Sequence, residues 1–273
     1  MTGFDAGRVR VRLTLRGDVI AAVDVSCERP DVAAALAGRP ADEAVALVPL
    51  IYSLCGQAQG IAARAALGAA RGTALAAHVD PRVAAEAARE HAWKLLVDWP
   101  QQLGLAPDEA LFVRVAKAVP GTGAALAAEL RAQPLFAAMA AMLGPTGIDA
   151  VLAARIAVRR DELIALLTGG ATLAGTVAAE PLGEGRGRAT VETARGDLCH
   201  EIELEGEGGD HIAAYHIVAP TDRLFGPDGP LPGWLVGGKE VGAGDAPTEV
   251  PLGDTATRAI MALDPCVPWI LEK

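Results

Sequence analysis

The sequence predicts an α+β protein, a mainly helical bundle body with small antiparallel β elements near the N-terminus and in the C-terminal third. Three observations predict it. VRVRLTL (9–15) alternates apolar and other residues with a period of two, as a half-buried strand does. From Pro30 to about Gly169 the chain is alanine-rich and punctuated by helix starts and stops. After the double glycine Gly169-Gly170, strand-like alternation returns.

Taken in order, residues 9–25 read as two strands around a turn at Gly17-Asp18. RPDVAAALAG offers Asp31 as an N-cap and Gly38 as a stop, and PADEAVALV opens on Pro40 with acids in its first turn. GQAQGIAARAALGAARG (56–72) places Gln57, Arg64 and Arg71 on one narrow stripe and small apolar residues elsewhere, the pattern of a mostly buried helix. Five more helices are expected between 80 and 167. In the C-terminal third RATVET, DLCHEIELEG and DHIAAYHIVAP read as strands, with GEGGD turning the last two into a hairpin and Glu201, Glu203 and Glu205 on its solvated face. RGR (186–188) reads as a turn, 220–251 as loop, and DTATRAIMAL as a short helix capped by Asp254. No internal repeat is found, so the expectation is one domain over 1–273: β 9–25, helical 30–169, β and loop 172–251, then the C-terminal helix and cysteine motif 254–273.

Composition narrows function. Hydrophobic residues make up 51% of 273, enough for a sizeable core, and aromatics only 4%, which favours close-packed thin helices over an aromatic sandwich. A formal net charge of −10 without a dense basic run argues against nucleic acid and anionic lipid as partners. No window reaches the roughly 18 apolar residues of a membrane span, and the N-terminus lacks the apolar core of a secretory signal. The expected location is the cytoplasm, where four cysteines without a C-x-x-C pair stay reduced and build neither a zinc ribbon nor a thioredoxin-type site.

Other chemistry is thin. VPGTGAAL lacks the third glycine of a dinucleotide loop and reads as a helix–helix turn. No G-x-S-x-G occurs. His200 and His216 are expected to pack across the C-terminal hairpin. Cys27 and Cys199 read as small buried hydrophobes. Cys55 differs, because it stands in a break before a helix, where the N-terminal end favours a thiolate. Cys266 differs as well, held between Asp264-Pro265 and Val267-Pro268. A stiffly held thiol points to ligation more than to packing.

SLCGQAQGIA (53–62) and DPCVPWILE (264–272) together resemble the two cysteine motifs of the nickel–iron hydrogenase large subunit, R-x-C-G-x-C-x-x-x-H and D-P-C-x-x-C-x-x-H. Three further stretches agree in order. LRGDVIAAV is similar to that family's N-terminal hairpin, ETARGDLCHEIEL to its E-A-P-R-G-x-L-x-H segment, and YHIVAPTDRLFGPDGPL to its Y-x-x-V-x-P-T-x-W-N segment. The likeness brackets the chain in a shortened, degenerate form and looks most like the HupK/HoxV-type maturation branch.

The resemblance implies site residues and losses. Cys55 and Cys266 match the nickel-terminal cysteines, whereas the bridging positions are Ala58 and Trp269. The gating glutamate falls at Arg12, and the histidines at Ala62 and Glu272. Hydrogen cleavage is therefore not expected, so no enzyme, and no tail beyond Glu272 is expected for a maturation protease to remove. Arg195 matches an arginine that donates to cyanide on iron, Thr221 or Asp222 a position that binds another, and Asp264 the aspartate before the cysteine. The implied function is a scaffold that transiently holds an Fe(CN)2CO iron group on Cys55 and Cys266. Its implied partners are other hydrogenase maturation proteins and the hydrogenase large subunit. Two rivals stand beside it: a metal-free mimic that docks maturation chaperones, and a residual redox enzyme or nickel carrier.

Overall fold

The structure, a computed structural model, describes residues 7–17, 19–52, 54–170, 172–206, 208–238 and 252–273. Strands β1 (Arg8–Arg16) and β2 (Val19–Glu28) lead into α1 (Val32–Leu36), α2 (Ala41–Ile51) and α3 (Gly56–Ala70). Then come β3 (Leu75–Val79) and α4 (Pro81–Trp93), which runs through a π-helical turn at Lys94–Asp98 into α5 (Trp99–Gln102). Next are α6 (Glu109–Ala116), α7 (Ala124–Ala132), α8 (Pro134–Ala141) and the long α9 (Gly147–Thr168). Four strands follow, β4 (Thr176–Gly183), β5 (Arg186–Thr193), β6 (Gly196–Glu205) and β7 (His211–Val218). Short helices α10 (Pro220–Leu224) and α11 (Leu231–Leu235), then α12 (Leu252–Leu263) and β8 (Trp269–Glu272), complete the chain.

Alternation in β1 buries Val9, Val11 and Leu13 and leaves the arginines outside. β1 pairs antiparallel with β2 and parallel with β8, so both ends of the chain share one three-stranded sheet. A parallel pair needs a long crossover; here the crossover is the whole body of the protein. The second sheet is antiparallel, ordered β3-β4-β5-β6-β7.

Helix α3 lies on that sheet, and its alanines and glycines are what let it approach. A Cβ added at Gly187 of β5 would stand 2.1 Å from the backbone nitrogen of Ala70 and 2.5 Å from the carbonyl oxygen of Ala66. On its other flank, Gly56 and Gly60 admit Pro49 of α2, with a Cβ at either falling within 2.9 Å of it. Large side chains here would push the layers apart.

The expected caps hold in part. Asp31 accepts from the Ala34 amide at 2.9 Å, and Gly169 ends α9 in the left-handed conformation. Asp254 sits in the first turn of α12 and does not cap it. Gly17 carries φ +62° in the first hairpin, whereas Asp18 and residues 239–251 of the expected loop lie outside the described residues.

Four differences from the sequence reading have physical reasons. The stretch expected to be wholly helical contains β3, a short edge strand whose residues are all exposed. Arg186–Arg188 is not a turn but the start of β5, because the glycines that reverse the chain are Gly183 and Gly185. The segment expected to be loop holds α10 and α11. His200 and His216 do not face each other: His200 opposes Ile217 and is buried, while His216 opposes Glu201 on the outer face.

Candidate functional site

Cys55 is the N-cap residue of α3, so it stands where the helix presents unpaired N–H groups. Those groups are already taken. Glu86, reaching across from α4, accepts from the Gln57 amide at 2.8 Å and the Ala58 amide at 3.0 Å. The helix end therefore stabilises Glu86 and not a thiolate, contrary to the sequence expectation. Burial pushes the Cys55 thiol up to about 12, with the nearby Cys266 and the Glu86 charge acting in the same direction. Only the Gln59 hydrogen bond and the Arg195 charge oppose them. Gln59 donates through Nε2 to the Cys55 sulfur at 3.7 Å.

Cys266 is reached through a strained bend. Asp264, at the end of α12, has φ +52°, the one positive value among the described non-glycine residues. Aspartate tolerates this region better than most residues but at a cost. The cost is met by charge: Asp264 is buried against Arg159, against Lys94 at 3.0 Å and against Arg195 at 3.2 Å. Burial alone would raise its carboxyl, but these three cations hold it far below the ordinary carboxylate range. Lys94 opens the π-helical turn and also pairs with Asp98 at 2.7 Å. Behind this cluster, Arg159 donates to His91 Nδ1 at 2.8 Å, so the ring hydrogen is on Nε2, which lies 3.0 Å from Glu162 Oε2 but is not aligned for a hydrogen bond. Burial lowers His91 to about 4, and it stays neutral.

Thr221, buried at the start of α10, bonds Cys266 twice. Its hydroxyl donates to the Cys266 sulfur at 3.1 Å and accepts from the Cys266 amide at 3.1 Å. Arg195 stands in the β5–β6 turn. Its Nη2 donates to Glu90 at 2.9 Å and its Nε to the Asp264 carbonyl at 3.1 Å. Burial disfavours its charge, but Asp264 and Glu90 hold it above even the ordinary guanidinium value. Its remaining nitrogen, Nη1, has no hydrogen-bond acceptor among the described residues.

These residues converge. One pocket is lined by Cys55, Cys266, Arg195, Thr221, Glu86 and Glu90 along with apolar neighbours, and Leu54, 41% exposed, borders it. About 30 Å³ in it is open to the centre of a water-sized sphere. That is room for two or three small groups. Of the five residues expected at a site, Cys55, Cys266, Arg195 and Thr221 line this pocket, whereas Asp264 does not: it is buried behind them in its ion pairs. Between the two open possibilities, Thr221 faces the pocket, whereas Asp222 caps the Ala219 amide at 2.9 Å and pairs with Arg29 at 2.9 Å.

The other cysteines stand apart from the pocket lining. Cys27 lies 4.0 Å from Asp222 Oδ1, packs into the same apolar cluster as Cys266, and is pushed by burial to about 11. Cys199 is on the outer face of β6 beside Thr190 and Arg188. Ala58 and Trp269 line no part of the pocket; Trp269 packs toward the three-stranded sheet. Glu86, Glu90, Gln59 and Arg159 were not singled out by sequence. For Gln59 the available signal is a polar residue within an otherwise apolar face, about 200° around α3 from Gln57.

Among the described residues, no group of three or more His, Cys, Asp or Glu side chains is arranged to hold a metal ion. Two soft sulfurs, a guanidinium and a hydroxyl suit an ion that carries ligands of its own better than a bare one. No described helix is long and apolar enough to cross a membrane.

No family model matches the chain. The hydrogenase expression/formation protein HupK of Azotobacter vinelandii is 28% identical over 344 residues, covering 97% of this chain and 98% of that protein. HupK of Rhodobacter capsulatus is 45% identical over 86 residues, a match that spans 30% of this chain and 27% of that protein. In fold, the chain is similar to the Ni-Fe-Se hydrogenase of D. vulgaris Hildenborough, with a TM-score of 0.59 at 12% identity over 93% of this chain and 94% of that one. The architecture is that of a nickel–iron hydrogenase large subunit, as the two cysteine motifs implied.

Proposed function

We propose that this chain, a relative of the HupK and HoxV hydrogenase expression/formation proteins on the large-subunit fold, serves hydrogenase maturation as a non-catalytic scaffold. Its cargo is an iron carrying cyanide and carbon monoxide, held for delivery to the hydrogenase large subunit. Cys55 and Cys266 supply two sulfurs and the diatomics three further ligands, so the iron needs no third protein side chain. The Arg195 guanidinium, fixed on Glu90 and Asp264, offers its free nitrogen to one cyanide. The Thr221 hydroxyl holds the Cys266 sulfur and borders the space for another ligand.

The observation that carries this reading is the convergence of Cys55 and Cys266, 211 positions apart, on one small pocket with a buried arginine. The lack of bridging sulfurs at Ala58 and Trp269 argues against a two-metal site and against hydrogen turnover. Because the Cys55 thiol is held well above neutral pH, loading expels its proton and weakens as the medium becomes more acid.

The test is infrared absorption of the anaerobic protein from a host with an active maturation system. Carbon monoxide and cyanide stretches that vanish in Cys55→Ala and Cys266→Ala support the scaffold. A silent spectrum from protein that still binds the maturation machinery refutes it and leaves the metal-free docking mimic.

A further inference from the structure

His200 is fully buried on β6, and the scaffold chemistry makes no direct use of it. Its two ring nitrogens are both engaged. Nδ1 lies 2.8 Å from the Tyr215 hydroxyl, and Nε2 lies 2.8 Å from Gln59 Oε1. The other end of the Gln59 amide is the group that faces the Cys55 sulfur at 3.7 Å. A continuous buried chain thus runs from Tyr215 on β7 through His200 to α3 and the pocket.

The direction of every bond in this chain follows from its ends. A buried tyrosine hydroxyl must donate its hydrogen to something. Among the described residues its one partner is His200 Nδ1. Burial lowers His200 to about 3, so the ring is neutral and has a single N–H. With Nδ1 accepting, that hydrogen is on Nε2 and is donated to Gln59 Oε1. The amide is then oriented with its NH2 toward Cys55. The opposite orientation would offer the sulfur a carbonyl oxygen, which suits a thiol hydrogen but repels a thiolate whose proton has left to solvent on metal binding.

We propose that Tyr215 and His200 are positioning residues that lock the Gln59 amide with its N–H toward the Cys55 sulfur, so that the pocket is preset for a ligating thiolate. The proposal rests on the scaffold reading for its purpose but not for its geometry, which is a property of the metal-free chain. The Cys55 sulfur is thereby held by one fixed neutral donor, as the Thr221 hydroxyl holds the Cys266 sulfur.

The experiment is nuclear magnetic resonance of the full, metal-free chain with 15N-labelled histidine and glutamine. The expected result is a single neutral His200 tautomer protonated at Nε2, with Overhauser contacts from the Gln59 amide protons to the Cys55 methylene. A His200 protonated at Nδ1, or Gln59 amide protons close to the His200 ring in place of Cys55, overturns the proposal. In Tyr215→Phe the tautomer is expected to shift toward Nδ1–H or a mixture; an unchanged tautomer overturns the role of Tyr215. The wild-type result stands even if that variant does not fold. A correct tautomer beside a silent infrared spectrum would separate failure of the scaffold reading from failure of this one.

Discussion

Cys266 and Cys55 border the same pocket, yet different forces hold them. The Cys266 arm is fixed by charge: a strained Asp264 clasped by Arg159, Arg195 and Lys94, a threonine bonded to it twice, and β8 beyond. The Cys55 arm is held by packing and hydrogen bonds rather than by ion pairs: a helix seated on Gly187 with its first amides on the Glu86 carboxylate, an amide at 3.7 Å, and a histidine and tyrosine behind it. Ion pairs in a dry interior are costly to break and fix geometry firmly. A neutral chain is weaker, although its tyrosine end fixes the direction of its bonds. The contrast is between one rigid, charge-held jaw and one jaw held by packing and hydrogen bonds.

The largest effect is expected from breaking the rigid jaw. Arg159→Leu leaves Asp264 buried with fewer partners and should destabilise the fold by about 3–5 kcal/mol. Urea unfolding measures it, and a loss under about 1 kcal/mol would mean that the cluster does not fix the bend. On the other jaw, Gly187→Ala drives a methyl into the backbone of α3 and should cost about 3 kcal/mol, the upper end of ordinary overpacking. An unperturbed melting temperature would show that α3 can lift off the sheet without loss.

Acid sharpens the comparison, because each jaw has one buried neutral histidine. His91 and His200 are lowered by burial to about 4 and about 3. Below about pH 6.5 the unfolded chain takes up these protons and the folded chain does not, so stability falls as pH drops. At pH 5 each should cost about 2 kcal/mol relative to pH 7.5. The Asp264 contribution, set by a lowered pKa, persists until the pH falls below the ordinary carboxylate range near about 3.9. Replacing His200 with Gln should remove about half of the loss between pH 7.5 and 5; a pH-independent urea midpoint in the parent protein contradicts the burial of both rings. The smallest effect is expected at Glu272→Gln, where solvent-facing pairs with Arg10 and Arg12 are cut at the edge of β8. Its melting curve should overlay the parent's.

Where the pattern is local, the sequence is informative. β1 and β6 follow from alternation, β2 and β7 from the turns that pair them, and the two pocket cysteines from the rigid and helix-capping contexts around them. What could not be read depends on partners far away in sequence. β3 is a five-residue run, LAAHV, with nothing to mark it until β4 pairs with it. Glu86 and Glu90 look like the solvated acids of an amphipathic helix, yet both are buried because α3 and Arg195 cover them. The preference of a helix N-terminus for a thiolate is local, and at Cys55 it is taken up by the Glu86 carboxylate 31 residues on. Arg12 and Glu272, which the resemblance sets at the positions of a glutamate and a histidine, are in contact, Nε to Oε2 at 3.2 Å, a pairing visible only in three dimensions.

In the proposed function both jaws close on one iron. X-ray absorption at the iron edge of the loaded, anaerobic protein tests it directly. The expected result is two sulfurs per iron at about 2.3 Å beside short bonds to carbon. One sulfur, unchanged by Cys55→Ala, would contradict the two-jaw reading and leave Cys266 as the sole holder.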